Sequence, residues 1–358
     1  MSPTHLQRKF TLNLLTEWRK LGLPLGPEPV LLAVSGGADS CALALAVSEL
    51  SQRGKLDCRI VIGHFDHGIR GSKSAKDARF VESLAKRLGF RFVTAKAKAS
   101  VFRSRSNLEE KARIARYGFL QSAAKEIRTR AVLTAHTRND QAETLLLNLI
   151  RGSGLSGLAG MGSVREMDAA GTKTGSDSPS GVSSETEIRL YRPLLSWASR
   201  EDTERFVSDC GVEPRTDAMN EDPAFQRVRI RKQILPVLSE LNPKIIEALA
   251  RTADTLRLEL DLLSGDPEDL AESKTISSMR SMPVARLREL PRAFAVHSVR
   301  SWILTRKGDL RGIDRERVDA IVDLACSSKS GRIVELPGSV SVVKRRGRLC
   351  FEDVKVEK

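Results

Sequence analysis

The sequence has 358 residues, enough for about two domains. With 41% hydrophobic and 29% charged residues it has the balance of a soluble globular chain, which excludes global disorder; no run of about 18 apolar residues would span a membrane, and MSPTHLQRKF lacks the apolar core of a secretory signal. The net charge of +14 favours a polyanionic partner, such as nucleic acid or a phosphate-rich substrate, but fits a generally basic proteome equally well.

Residues 6–21 (LQRKFTLNLLTEWRKL) carry apolar residues at helical spacing, and PLGPEP at 24–29 ends that helix. VLLAV (30–34) is a short apolar run between turn residues, the pattern of a buried parallel strand. A Gly-rich turn and an Ala/Leu-rich helix to about Gln52 follow. RIVIGH (59–64) and FRFVTAK (90–96) read as further strands, with a helix over 73–89 between them. A long helix runs from Ser106 to Ile127, opened by a Ser106/Glu109 capping box and striped by Leu108, Ala112, Ala115, Phe119 and Ala123. RAVLTAH (130–136) is a fourth strand and 140–151 a helix. This alternation predicts an α/β fold, a parallel sheet sandwiched by helices.

Residues 163–187 are rich in Gly, Ser, Thr and Asp and read as a mobile, dispensable surface insertion. IRLYRPLL (188–195) returns as one more strand. The pattern then becomes helical, over 200–210, 228–240, 243–264 and about 284–305. GRIVELPGSVSVVKRRGRLCFEDV (331–354) alternates like a small β-hairpin or meander. The expected division is a nucleotide-binding domain over 1–215 and a mainly helical region over 216–358. The five cysteines (41, 58, 210, 326 and 350) form no C-x-x-C pair, which disfavours a zinc ribbon, an iron–sulfur cluster or a thioredoxin-like site and fits a reducing cytoplasm.

The strongest motif is Ser35-Gly36-Gly37-Ala38-Asp39-Ser40, between a buried strand and a helix. Two glycines allow a sharp turn and close approach to a ligand; backbone N–H groups and the helix N-terminus then face an anion. Ser35 and Ser40 can donate to phosphate oxygens, and Asp39 suits Mg²⁺. The Walker lysine is absent, so this is no standard P-loop. A plain helix cap on a Gly turn is the rival reading. His136, Asp140 and Glu143 follow the fourth strand at spacings of four and three. Two carboxylates on one helix face could hold the amino groups of a cationic amino acid, or simply complement the helix dipole. Arg113 lies four residues after Glu109, as a salt bridge or as an anion ligand. Arg227, Arg229, Arg231 and Lys232 form one basic run; Lys344, Arg345, Arg346 and Arg348 form another. Either can be a solvated charge run or a phosphate-backbone contact. Aromatics make up 4%, too few for a large base-stacking platform.

SGGADS resembles the loop of the PP-loop ATP pyrophosphatases. With HFDHGIR (64–70), LEEKAR (108–113), Arg116-Tyr117, AHTRNDQAET (135–144), RGSGLSGL (151–158) and RPLL (192–195), the chain resembles the tRNA(Ile)-lysidine synthetases, well over 30–240 and loosely beyond. It departs from their pattern at Thr137, where a second His is common, and at Val228, where Asn is usual.

The resemblance implies a cytoplasmic ATP-dependent ligase that joins L-lysine to C2 of the wobble cytidine of CAU-anticodon tRNA(Ile), through an adenylated tRNA. It implies ATP as co-substrate and Mg²⁺ as cofactor, no membrane partner, and leaves a homodimer open. Ser35 to Ser40, His64, Asp66, His67 and Arg70 would shape the nucleotide site, with Asp39 toward Mg²⁺. Asp39, Arg113, His136, Asp140 and Glu143 would be catalytic, and Arg113, Asp140 and Glu143 would hold lysine. The two basic runs would contact tRNA. Another PP-loop enzyme, above all a tRNA 2-thiolase, is the alternative.

Overall fold

The computed structural model describes residues 5–67, 72–97, 108–167, 187–215, 225–263, 265–310, 312–327, 332–338 and 340–353. The chain divides into two compact units, Met1–Arg257 and Leu258–Lys358. The boundary therefore falls some 40 residues beyond 215/216, the position expected from sequence. The physical reason is packing: Ile230 and Leu235 bury themselves against Leu146 and Leu147, so the basic run belongs to the first unit.

In the first unit, β1 (Pro29–Ala33), β2 (Arg59–Asp66), β3 (Arg91–Lys96), β4 (Ala131–Leu133), β5 (Val164–Glu166) and β6 (Arg189–Tyr191) form one sheet in the order β3-β2-β1-β4-β6-β5. All neighbours are parallel except β5, which runs antiparallel to β6. Alternation along β1 serves both faces. Val30 and Leu32 pack into the core shared with α1 (His5–Lys20), α2 (Ala38–Gln52), α3 (Ser72–Leu88) and α7 (Arg200–Asp209). Leu31 packs on the opposite face with Tyr117, Leu120 and Ala124 of α4 (Leu108–Glu126). The parallel sheet between helices is the architecture expected.

The strand order fixes where ligands can sit. From β1 the chain moves outward to β2 and β3, then crosses back to place β4 on the other side of β1. The loops leaving β1 and β4 therefore diverge at their C-terminal ends. That switch point is the usual ligand crevice of an open α/β sheet.

Three local departures have physical causes. Residues 164–166, expected in a mobile insertion, form β5, stabilised by pairing with β6 rather than by propensity. Residues 168–186, the rest of that stretch, lie outside the described residues, as do Ser106 and the side chain of Glu109. The helix expected over 228–240 is three pieces: α8 (Gln226–Arg229), a π-helical turn (Ile230–Ile234) and α9 (Leu235–Leu241). Pro236 lacks an N–H and would clash with the Lys232 carbonyl in an unbroken α-helix.

The second unit holds the C-terminal part of α10 (Ile245–Leu263), then α11 (Pro267–Ser278), α12 (Val284–Glu289), α13 (Arg292–Lys307) and α14 (Arg315–Cys326). The helix expected over 284–305 is broken at Pro291, which caps α13. β7 (Met282–Pro283), β8 (Ile333–Leu336), β9 (Val340–Arg345) and β10 (Arg348–Asp353) form an antiparallel sheet in the order β7-β10-β9-β8. Arg346 and Gly347, at φ 46° and 73°, make the two-residue turn between β9 and β10.

Candidate functional site

The Ser35–Ser40 loop joins β1 to α2 at the switch point. Gly36 has φ +95°, a left-handed conformation that strains any residue with a side chain, although a Cβ there would make only ordinary contacts, 3.4 Å from Val81 Cγ2 and 3.6 Å from Arg215 Cγ. Ser40 is buried and braces the turn: its Oγ accepts from the Ser35 and Gly36 N–H groups, each at 3.2 Å, and donates to the Gly37 carbonyl at 2.9 Å. Ser40 thus shapes the loop, while Ser35 Oγ contacts Ser40 Oγ at 3.2 Å. Gly37 is the N-cap of α2 with no side-chain cap, and Ala38 and Asp39 begin the helix.

Asp39 accepts a short hydrogen bond from Thr203 of α7. Burial and the nearby charge of Asp140 push its carboxyl up to about 6, against the opposing pull of Thr203 and Arg200. Two close carboxylates at a Gly-rich loop fit a divalent cation completed by phosphate oxygens and water.

β4 delivers the second motif. Thr137 caps α5 (Arg138–Ile150), and Asp140 at the third helical position accepts from Thr137 N at 2.8 Å and Thr137 Oγ1 at 3.2 Å. The helix-dipole reading of Asp140 is thus realised as a capping box. Its other oxygen lies 3.7 Å from Arg200 Nη2. Glu143 is fully buried, with Oε1 2.7 Å from Arg231 Nε, Oε2 3.0 Å from Arg231 Nη2, and Arg200 Nη2 at 3.4 Å. His136 Nδ1 lies 2.9 Å from Thr134 Oγ1. Burial and the positive field of Arg192 outweigh Asp140 and push its pKa down to about 3, so the ring is neutral at physiological pH.

Comparison with known proteins decides the family. The PP-loop domain model matches residues 5–238. A tRNA(Ile)-lysidine synthase of Salinispora tropica is 34% identical over 91% of this chain and 91% of its own length. The chain belongs to the tRNA(Ile)-lysidine synthase family. A relative of that name from Geobacter sulfurreducens is 35% identical over 90% of this chain, which spans only 65% of it. Among solved structures, the U34-tRNA thiolase NcsA of Methanococcus maripaludis, solved with its [4Fe-4S] cluster, superposes with a TM-score of 0.55 at 13% identity, over 70% of this chain and 80% of that one; the likeness is of fold alone.

Of the other residues singled out from sequence for this lysidine synthase family member, His64 is buried at the end of β2. Its Nδ1–H donates to the Val34 carbonyl at 2.9 Å, and burial lowers its pKa. Asp66 is buried, and His67 packs edge-on to Phe65 at 5.0 Å. Arg70 lies outside the described residues. Arg113 pairs with Glu110 at 3.1 Å. Arg227 Nη2 donates to Thr144 at 3.3 Å, while Arg229 and Lys232 are exposed. In the second unit, Lys344 donates to the carbonyls of Ala325, at 3.2 Å, and Ser327, and Arg345 pairs with Glu352 at 2.8 Å. Lys344 therefore serves the C-terminal carbonyls of α14, together with Arg288.

Sequence reasoning missed Arg200 and Thr203, which α7 brings to Glu143 and Asp39. Their only local signal is the Ser199/Asp202 capping box that starts α7. A groove of about 440 Å³ lined by Phe80, Leu84, Arg87, Val212, Pro214 and Arg215 lies behind Gly36 and holds none of the acidic or histidine groups above.

Proposed function

We propose that the chain ligates L-lysine to C2 of the wobble cytidine of a CAU-anticodon tRNA(Ile), using ATP. The C2 oxygen of the cytidine attacks the α-phosphorus of ATP and pyrophosphate leaves. The ε-amine of lysine then attacks C2, loses a proton and expels AMP. The observation that carries this reading is the convergence of the Gly36–Gly37 loop with His136, Asp140 and Glu143 at one switch point.

Each residue has a role that its surroundings support. Backbone N–H groups and the α2 N-terminus face the phosphates. Asp39, beside Asp140, would hold Mg²⁺, which when bound offsets charge building on the departing pyrophosphate. Arg113, paired with Glu110 in the free protein, would meet a phosphate or the lysine carboxylate. Neutral His136 can accept a hydrogen bond from the incoming amine, but its lowered pKa makes it a weak proton acceptor. Glu143 already carries two guanidiniums, so lysine reaches it when Arg231 or Arg200 turns from carboxylate to phosphate. The exposed Arg229 and Lys232 suit tRNA phosphates, as does Arg346 on the hairpin turn. Sulfur transfer fits less well: burial pushes the Cys41 thiol up to about 12, and it donates to the Gly36 carbonyl. A cytoplasmic site of action fits this chemistry; among the described residues no helix is long and apolar enough to cross a membrane.

The test incubates the protein with ATP, Mg²⁺, radiolabelled lysine and a CAU-bearing tRNA(Ile) transcript. Label should enter RNA only with ATP and the wobble cytidine, and Asp39→Ala and Glu143→Ala should abolish it. Pyrophosphate release without label would remove lysine as the nucleophile.

A further inference from the structure

Tyr117 of α4 is buried, 3% exposed, among three guanidinium groups. The Cζ atoms of Arg113, Arg116 and Arg165 stand 5.5, 5.2 and 5.0 Å from its ring centre. Two come from α4 and the third from β5. Burial raises the phenol pKa, yet the field of Arg116, Arg192, Arg165 and Arg113 prevails and brings it to about 8.

Among the described residues the cluster is short of negative charge. Arg113 has Glu110, but Arg116 Nε and Arg165 Nε are buried without a hydrogen-bond partner among the described residues. A buried donor left without a partner keeps its full desolvation cost. A Tyr face attracts a cation but satisfies no N–H. Donors held together against their own repulsion are the donor side of an anion site.

Its place in the fold restricts the anion. α4 ends at Glu126, just before parallel β4 begins at Ala131, so its first half lies toward the C-terminal edge of the sheet, with Arg116 at the middle of the helix. Val164, next to Arg165, pairs with Tyr191, the last residue of β6. Arg116 and Arg192 also act on His136, so the cluster borders the proposed reaction centre. β5 stands three strands from β1, about 14 Å at the usual strand spacing, which is far from a triphosphate anchored on the β1 loop. An RNA strand that delivers a base to His136 must carry its own backbone past this rim, and successive phosphates supply charge to several guanidiniums at once.

We infer that Arg116 and Arg165, stacked about Tyr117, seat a backbone phosphate of the RNA substrate beside the reaction centre. This rests on the reading of RNA as substrate. The experiment measures binding of the CAU-bearing tRNA(Ile) transcript to the full chain across a salt series, with Arg116→Gln, Arg165→Gln and Arg165→Lys. Each Gln variant should weaken binding about 3- to 10-fold and flatten the slope of log K against log salt by about 0.7–0.9. Arg165→Lys should keep the slope, which a merely structural role would not require. ATP binding, measured without RNA, should stay at the wild-type level.

Unchanged affinity and slope in both Gln variants would overturn the seat. A raised KM for lysine with intact RNA binding would assign the anion to the amino-acid carboxylate instead, and weakened ATP binding would assign it to the triphosphate. If the wild-type chain itself shows no salt-dependent RNA binding, the RNA reading falls as a whole.

Discussion

Arg231 grips Glu143 through both carboxylate oxygens, at 2.7 and 3.0 Å, from a π-helical turn 88 residues further along the chain. Wide turns of this kind are rare and recur at functional sites. Here the turn and the buried carboxylate tie the basic run to α5. Removing one partner of such a pair is worse than removing both, because a buried charge is stranded. Arg231→Met should cost about 2–4 kcal/mol in denaturant unfolding of the free protein, with Arg200 limiting the loss. Glu143→Gln with Arg231→Met should recover much of it. Additive losses would show that the pair carries no coupling.

Asp39 illustrates the opposite economy. Its carboxylate is half-buried beside Asp140, and its pKa is raised, so its charge is unfavourable in the free protein. Asp39→Asn keeps an acceptor for Thr203 and removes that charge. The free protein should gain on the order of 1–3 kcal/mol, since each pKa unit is about 1.4 kcal/mol. Activity should fall at least 100-fold with the loss of the proposed Mg²⁺ ligand. Thermal melts and turnover of the same preparation check both parts.

Tyr117 gives a pH signature of its own. Its folded-state pKa is about 8, below the ordinary phenol value of 10. A depressed pKa contributes stability that is present above the unfolded value and lost as pH falls through the folded one. Between pH 8 and 10, wild type should therefore gain up to about 2–3 kcal/mol relative to Tyr117→Phe. Parallel stability curves for the two proteins would contradict the arginine field around the ring.

Much of the proposed reaction centre was legible because it is written locally. VLLAV followed by SGGADS places an anion-binding turn after a buried strand, and the structure puts it there. The motif at 135–144 was equally legible, with both readings of Asp140 visible; the capping geometry was settled only by Thr137. What stayed hidden depends on distant packing. Arg200 and Thr203 reach the carboxylates because α7 lies on α2, and no periodicity encodes that. Val164-Arg165-Glu166 is three residues beside a polar tract, and it becomes a strand only through β6. Lys344 looked like a free cation in a basic cluster, but it closes the end of α14.

The 163–187 stretch can now be trimmed at a defined place. Met167 N donates to the Ile188 carbonyl at 2.9 Å, so the β5–β6 ladder runs up to these two residues. Replacing 168–187 by Asn-Gly should close a two-residue hairpin of the favoured twist. It should leave Tm within a few degrees and lysidine formation within about twofold, since deletion of a polar tract removes chiefly loop-closure entropy. Deleting 163–187 entire should instead cost much of the activity, because it removes β5 and Arg165. Equal outcomes for the two deletions would show that β5 contributes nothing.

Lys344 separates capping from RNA contact within the second unit. Its ammonium serves the carbonyls of Ala325 and Ser327, where a helix dipole favours positive charge. Lys344→Met should therefore destabilise that unit by about 1 kcal/mol, less than the about 1.5–3 kcal/mol of a charged hydrogen bond, because Arg288 still donates to both carbonyls. Arg346→Gln alters a turn residue outside that cap, so stability should change little while any phosphate contact is lost. The two variants thus predict opposite patterns in unfolding and in the salt dependence of tRNA binding. If Lys344→Met flattened the salt slope and left stability intact, the helix-capping role would be wrong.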